Sequence, residues 1–232
     1  MLKKISILLL LVFFIACSST RNTATSKIPG ARVKLTTDSG VIVLRLYNQT
    51  PLHRDNFLKL VKEHYFDSLL FHRVIKNFMI QGGDPESKNA KPKILLGNGG
   101  PSYTIPAEFD STLFHKKGAL AAAREGDNVN PLKASSGSQF YIVQGKVFTD
   151  AGLDSVETFR LKGRKLPAAH RAVYKTLGGA PHLDSNYTIF GEVIKGLETI
   201  DSIATVPTSG RQGGDRPLQN VKIIKASLVR RK

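Results

Sequence analysis

The stretch FHRVIKNFMIQGGD, residues 71–84, sets one cation, Arg73, among residues that otherwise read as the core of a sheet. A guanidinium taken out of water is costly unless something pairs with it. Side chains alternate along a strand, so Arg73 shares a face with Phe71 and Ile75, and Met79 shares one with Gln81. A break near Lys76-Asn77 lets the two strands adjoin and brings Arg73 beside Gln81. A glutamine carbonyl can hold a guanidinium and leave donors free. With Phe78 and Met79 close by, the stretch describes a small apolar pocket holding one directed donor. The same residues also fit an arginine paired with a distant carboxylate or with solvent.

Other chemistry is thinly represented. The six histidines (53, 64, 72, 115, 170 and 182) show no metal-ligand spacing, so no metal or other cofactor is expected. A Ser/His/Asp set could assemble in space, but no nucleophile-elbow pattern is present. The glycines of GNGGPS, residues 97–102, lack the lysine and Ser/Thr of a phosphate-binding loop. Basic residues occur without an aromatic RNA-binding motif, and no nucleic acid is expected as partner.

The elements that must hold the pocket are mostly short strands. ARVKLTTDSGVIVLRLY, residues 31–47, alternates around a turn at Asp38-Ser39-Gly40 and predicts a β-hairpin. Thr50 as N-cap, Pro51 at the first helical position and an apolar face of Phe57, Leu58 and Val61 predict a helix over about 51–63. GALAAAR, SGSQFYIV, NYTIFGEVIKG and LQNVKIIKASLV supply further strands, and LETIDSIAT a short helix. Many short strands with two helices predict a mainly β domain, a closed antiparallel barrel capped by helices. Residues 146–181 break that pattern. Asp154 or Ser155 caps a first short helix, Pro167 begins a second and Gly178-Gly179 ends it. Its cations, Arg160, Lys162, Arg164, Lys165, Arg171 and Lys175, make it a basic helical insertion, either a solvated decoration or a surface for a partner or membrane.

At 232 residues, with 41% hydrophobic and 22% charged, the chain suits one well-buried domain and not a disordered one. Its +16 charge favours anionic surfaces without specifying any, and a solvated basic surface explains it equally. The single Cys17 excludes an internal disulfide. It follows Lys3 and Lys4 and an apolar run from Ile5 to Ala16, short for a membrane span and typical of a secretion signal. FIAC, residues 14–17, resembles a bacterial lipobox, with Phe14 departing from the usual leucine. That resemblance implies cleavage before Cys17 and lipid on it. A plain secreted protein and an uncleaved anchor are the alternatives. Removing residues 1–16 takes away two lysines and no acid. Residues 17–30 read as a lipid-anchored linker, and 13 residues of it, 18–30, reach at most about 45 Å. The domain, residues 31–230, is expected at the membrane of a bacterial cell envelope, facing the periplasm.

FHRVIKNFMIQGGD, AEF, GALAAAR, SGSQFYIV and FGEVIKGLETID follow one another in the order seen in the cyclophilin peptidyl-prolyl isomerases, which the chain resembles over about residues 31–228. The insertion and a longer loop, EGDNVNPLKAS, interrupt the match. The resemblance implies a closed eight-stranded barrel with two capping helices and a groove for X-Pro polypeptides, worked by a monomer. It makes Arg73 the catalytic arginine, with Gln81 steadying it and Phe78 beside it. Phe78, Met79, Gln139, Tyr141 and Leu183 match the proline pocket, and Ala123 and Arg124 the strand edge that binds the peptide. Three positions depart. Tyr141 stands where phenylalanine is usual, and its hydroxyl needs a partner. Tyr187 stands where many members have histidine. His182 stands where cyclosporin-sensitive members have tryptophan, so weak cyclosporin binding is expected. The competing reading is a non-catalytic scaffold or holdase that binds proline peptides in the same groove.

Overall fold

In the computed structural model, residues 30–229 are described. The expected signal sequence, Cys17 and nearly all of the expected linker lie outside them. The alternating segment 31–47 forms strands β1 (Arg32–Thr37) and β2 (Gly40–Leu46). Helix α1 (Pro51–Lys62) follows, then β3 (Arg73–Ile75) and β4 (Met79–Gly82). Next come β5 (Thr104–Ile105), β6 (Ala119–Ala122), β7 (Ser135–Ser136) and β8 (Phe140–Val143). Helices α2 (Asp150–Ser155) and α3 (Ala168–Thr176) flank a π-helical turn, Val156–Arg160. Strand β9 (Ile189–Lys195), α4 (Leu197–Ile203) and β10 (Ile223–Leu228) complete the chain.

Eight strands make one antiparallel sheet in the order β10-β1-β2-β9-β6-β8-β4-β3, and β5 pairs with β7 in a small second sheet. The expected closed barrel is corrected to a curled sheet whose ladder is open between β3 and β10. The reason is local. On β3, the Val74 N–H donates to the Asp215 carbonyl, so a loop occupies the edge that β10 would need. Across the gap, the residues before β3 bond to the start of β10: Ser68 N–H to Ile223 O at 2.8 Å, Ile223 N–H to Leu69 O at 2.7 Å and Phe71 N–H to Val221 O at 2.9 Å.

Alternation divides the strands between two apolar clusters. On β8, Phe140 and Ile142 join the main core with Leu120, Ile80 and Val33, under α1 residues Phe57, Leu60 and Val61 and α4 residues Ile200 and Ile203. Rings of Phe57, Phe66 and Phe140 meet there, with Phe57 and Phe66 centroids 4.8 Å apart and Phe140 edge-on to both. Tyr141 and Val143 point the other way, into a second cluster with Met79, Ala121 and Ile189. One set of short strands thus builds a core on one face and a site on the other.

Two expected caps are corrected. Thr50 sits at the N-cap of α1 but its hydroxyl makes no cap bond. The carboxylate of Glu108 reaches in instead, accepting from Leu52 N–H at 3.1 Å and His53 N–H at 3.0 Å. In the insertion, Thr149 caps α2 by accepting from Gly152 N–H at 3.1 Å, so Asp154 and Ser155 lie inside that helix. Pro167 stands at the N-cap of α3, one residue before its first turn.

The insertion is tied down by its own charges. Buried Glu157 accepts from Lys165 Nζ at 2.8 Å, Arg171 at 2.7 Å and Leu166 N–H at 3.1 Å. These donors, Lys165 first, hold its carboxyl down at about 2. Arg171 also meets Asp150 and Asp154, Lys175 meets Asp150, and Arg164 donates to the Asp184 carbonyl. Four of the six insertion cations are therefore engaged within the fold. Gly179, where the insertion rejoins the sheet between Lys116 and Lys146, must be glycine because a Cβ there would run into the His115 carbonyl.

Candidate active site

Strand pairing places Arg73 directly opposite Gln81. The guanidinium is less buried than the sequence suggests, with 41% of the side chain exposed. Both readings of its environment hold at once. Arg73 donates from one terminal nitrogen to Gln81 Oε1 at 3.4 Å, and its Nε lies 3.5 Å from Asp215 Oδ2. An arginine has five N–H donors, so these two contacts fix the group and leave others open. Asp215 stands in a loop far along the chain, and no spacing in the sequence could have linked it to Arg73.

The direction of the Gln81 amide is set from behind. Gln139 donates from Nε2 to the carbonyls of Gly97 and Gly99, both at 2.8 Å. That use of its amino group turns Gln139 Oε1 toward Gln81, whose Nε2 donates to it at 3.0 Å. The Gln81 carbonyl is then left facing Arg73. The glycine-rich segment 97–100 therefore serves as the fixed end of an amide relay.

Below Arg73 lies a cavity of about 150 Å³. Phe78, Met79, Tyr141 and Leu183 supply its apolar wall, and Gln81, Ala123, Arg124 and Tyr187 its rim. Of the eleven groove residues read from the sequence, nine, Arg73 included, line this one space. Gln139 and His182 do not. Gln139 borders an adjoining cavity of about 670 Å³ that shares Gln81, Ala123 and Arg124 with the first. His182 lies against Phe78, ring centroids 5.4 Å apart. Burial, and then the Arg160 charge, push the His182 imidazole down to about 4, so it is a neutral ring at pH 7.

Strand β6 ends at Ala122, so Ala123 and Arg124 sit just beyond it. The Ala123 N–H and C=O bond Gln139 O and Ser136 N–H. The Arg124 side chain is fully engaged, donating to Asn186 O at 2.9 Å and Glu125 O at 2.8 Å, pairing with Asp127 and covering the Tyr187 ring. What Arg124 leaves open is its backbone.

The partner that the Tyr141 hydroxyl needs is His115, whose Nε2 lies 2.9 Å away. His115 is fully buried, and its Nδ1 lies 2.9 Å from Asp184 Oδ1. The carboxylate accepts from Nδ1, so Nε2 accepts from the Tyr141 hydroxyl. Asp184 also accepts from His115 N–H at 2.8 Å and from the Tyr174 hydroxyl of α3 at 2.7 Å. Burial pushes the Tyr141 phenol far up, which keeps it a neutral donor. The pocket floor is thereby anchored to the insertion. The sequence signalled the need for a partner but not its identity, because 26 residues separate the two rings and His115 lies in a loop.

One serine, histidine and carboxylate do meet. His53 joins Glu108 at 2.7 Å through Nδ1 and Ser135 Oγ at 2.9 Å through Nε2. Ser135 is 1% exposed and His53 2%, so no substrate reaches the hydroxyl, and the trio braces α1 against β7. Among the described residues no group of three or more His, Cys, Asp or Glu side chains could hold a metal ion.

Comparison with known proteins identifies the family. Residues 32–228 match the family model "Cyclophilin type peptidyl-prolyl cis-trans isomerase/CLD". A Staphylococcus aureus protein named as a peptidyl-prolyl cis-trans isomerase is 34% identical over 193 residues, covering 83% of this chain and 88% of that one. A Streptococcus pyogenes protein named as a bifunctional phosphatase/peptidyl-prolyl cis-trans isomerase is 34% identical over 197 residues, 84% of this chain but 38% of that protein. In fold, the crystal structure of a Cryptosporidium parvum cyclophilin-type isomerase is similar at a TM-score of 0.63 and 24% identity, covering 87% of this chain and 99% of that one. The chain belongs to the cyclophilin-type peptidyl-prolyl cis-trans isomerases.

Proposed function

We propose that the chain accelerates rotation about X-Pro bonds of exported polypeptides, as a monomer held at an envelope membrane by lipid on Cys17. The observation that carries the catalytic part is the aim of Arg73: its guanidinium is braced by the Gln81 carbonyl and by Asp215, at a cavity with one apolar wall. An X-Pro bond turns slowly because amide resonance sets a barrier of about 18–20 kcal/mol. At the twisted transition state the nitrogen loses conjugation and gains a lone pair. A fixed cationic donor binds that lone pair and does little for the planar ground state, which is the differential binding that catalysis requires. The wall of Phe78, Met79, Tyr141 and Leu183 grips the proline ring, and the acyl side turns in the adjoining space. The free Arg124 backbone is available to the peptide chain. No bond breaks, so the step needs no nucleophile.

A second Cryptosporidium parvum structure, of the same isomerase, was obtained in the presence of the dipeptide Ala-Pro. That pairing of this fold with a proline dipeptide supports proline peptides as the ligand class. A non-catalytic scaffold would use the same cavity but has no need of an aimed donor. The test is exchange spectroscopy of an Ala-Pro peptide with the full chain, alongside the intact mass of the protein recovered from cell envelopes. Faster exchange, and a mass showing cleavage before Cys17 with added acyl chains, are expected. A chain that binds the peptide without hastening exchange is a scaffold, and an unacylated product removes the anchor.

A further inference from the structure

The half of the sheet formed by β10, β1, β2 and β9 carries a basic face. On the outer side of β10-β1-β2-β9 the register sets Ser227, Lys34, Val43 and Lys195 in one row across four strands. Lys225, Thr36 and Val41 make the next row, and Arg32, Arg45 and Glu192 a third. Neighbouring strands lie about 5 Å apart and neighbouring rows about 7 Å apart, so these cations form one patch. Its one acid, Glu192, is closed by Arg45 and by Lys116 at 2.8 Å. Arg32, Lys34, Lys195 and Lys225 are exposed and have no ion-pair partner among the described residues. Between them stand apolar side chains open to solvent: Val41 at 39%, Ile194 at 41% and Ile224 at 50%. Ile194 and Ile224 lie where the ladder shifts register, which turns them outward.

We infer that this four-stranded face docks on an anionic lipid surface. Two observations select that occupant. A bilayer interface takes cations at its headgroups and apolar side chains just beneath, whereas nucleic acid has no use for the exposed valine and isoleucines. Both ends of the described residues adjoin this face: β1 starts at Arg32, after the sequence segment that holds Cys17, and the sequence past β10 reads Arg230, Arg231 and Lys232. No residue that lines the small cavity lies within β10, β1, β2 or β9, so docking by this face leaves the groove open to clients. The inference rests on the proposed lipid anchor only for proximity to a membrane.

The full chain with Cys17→Ser, which takes no lipid, separates the two ideas. Its partition is measured on vesicles containing phosphatidylglycerol and on pure phosphatidylcholine vesicles, for the parent and two charge-matched variants. One is Lys34→Glu/Lys195→Glu/Lys225→Glu, on the face. The other is Lys88→Glu/Lys91→Glu/Lys93→Glu, on an exposed loop elsewhere. Each basic residue near an anionic surface contributes roughly fivefold in affinity. The face variant is expected to lose tenfold or more on phosphatidylglycerol vesicles, and the loop variant threefold or less. Equal losses in both variants, an unchanged face variant, or equal binding of the parent to both vesicle types would each overturn the proposal. So would a face variant that loses affinity for a DNA duplex but keeps its vesicle partition.

Discussion

Replacing Gln139 by leucine removes three hydrogen bonds, to Gln81 Nε2 at 3.0 Å and to the Gly97 and Gly99 carbonyls at 2.8 Å each. At about 1 kcal/mol net apiece the loss is about 3 kcal/mol of stability, or a midpoint roughly 6–12 °C lower for a domain of this size. The catalytic effect has a separate origin. Without Gln139 the Gln81 amide is free to rotate, and its amino group can turn toward Arg73 in place of its carbonyl. Losing that one aligned acceptor lowers kcat/KM by about five- to tenfold, chiefly in kcat, since the aim of the donor matters most at the transition state. The assay is Ala-Pro exchange at a temperature where both proteins are fully folded, with Gln81→Leu and the double variant completing a cycle. If Gln139 acts through Gln81, its effect on kcat/KM shrinks to near nothing in the Gln81→Leu background. An undiminished effect there, or one confined to KM, would mean that Gln139 serves the peptide directly and that the relay is wrong.

Other outcomes follow from the same geometry. His72 is buried with both ring nitrogens unpartnered, and burial above all pushes its imidazole down to about 4. Its folded value lies below the unfolded one of about 6.5, so protonation favours unfolding; stability is whole above pH 6.5 and falls by about 3 kcal/mol as pH drops to 4. Urea midpoints against pH should show that limb, flattened in His72→Leu, and an equal acid slope in both proteins would contradict the assignment. Tyr141→Phe keeps the ring but orphans His115 Nε2, so it should lower stability by about 1–3 kcal/mol while activity per folded molecule stays within a few-fold. A large loss of kcat with unchanged stability would place the hydroxyl in the chemistry instead. Cyclosporin should bind weakly, because His182 and not an indole stands beside Phe78. A titration giving nanomolar inhibition would refute that.

Alternation made much of the architecture readable. Val33, Leu35, Ile42 and Leu44 show period two in the sequence and fill the core, and the pairing of Arg73 with Gln81 follows from one short break between strands. Side chains whose partners are remote were not readable. The cap of α1 comes from Glu108, the second brace of Arg73 from Asp215, and the anchor of Tyr141 from His115 and Asp184. In each case the partner lies tens of residues or more away along the chain, and composition carries no trace of which side chain will land there. The insertion shows the same limit for charge. Its six cations read as a basic surface, yet Glu157 with Asp150 and Asp154 engages three of them and the Asp184 carbonyl a fourth. Closure of the sheet failed for a similar reason, since the Asp215 loop, and not a strand, took the edge of β3.

The central claim is that Arg73 stabilises the twisted bond. It is tested most directly by comparing Ala-Pro exchange in the full chain, Arg73→Ala and Arg73→Lys, with circular dichroism confirming the fold of each. Loss of one preorganised donor should cost about 3–4 kcal/mol of the barrier reduction, or roughly 10²–10³ in kcat/KM for the alanine variant, with peptide affinity largely kept. Lysine, a point charge without the planar fork that Gln81 and Asp215 hold, should recover only part of that rate. An alanine variant that folds and turns over within threefold of the parent would contradict the account.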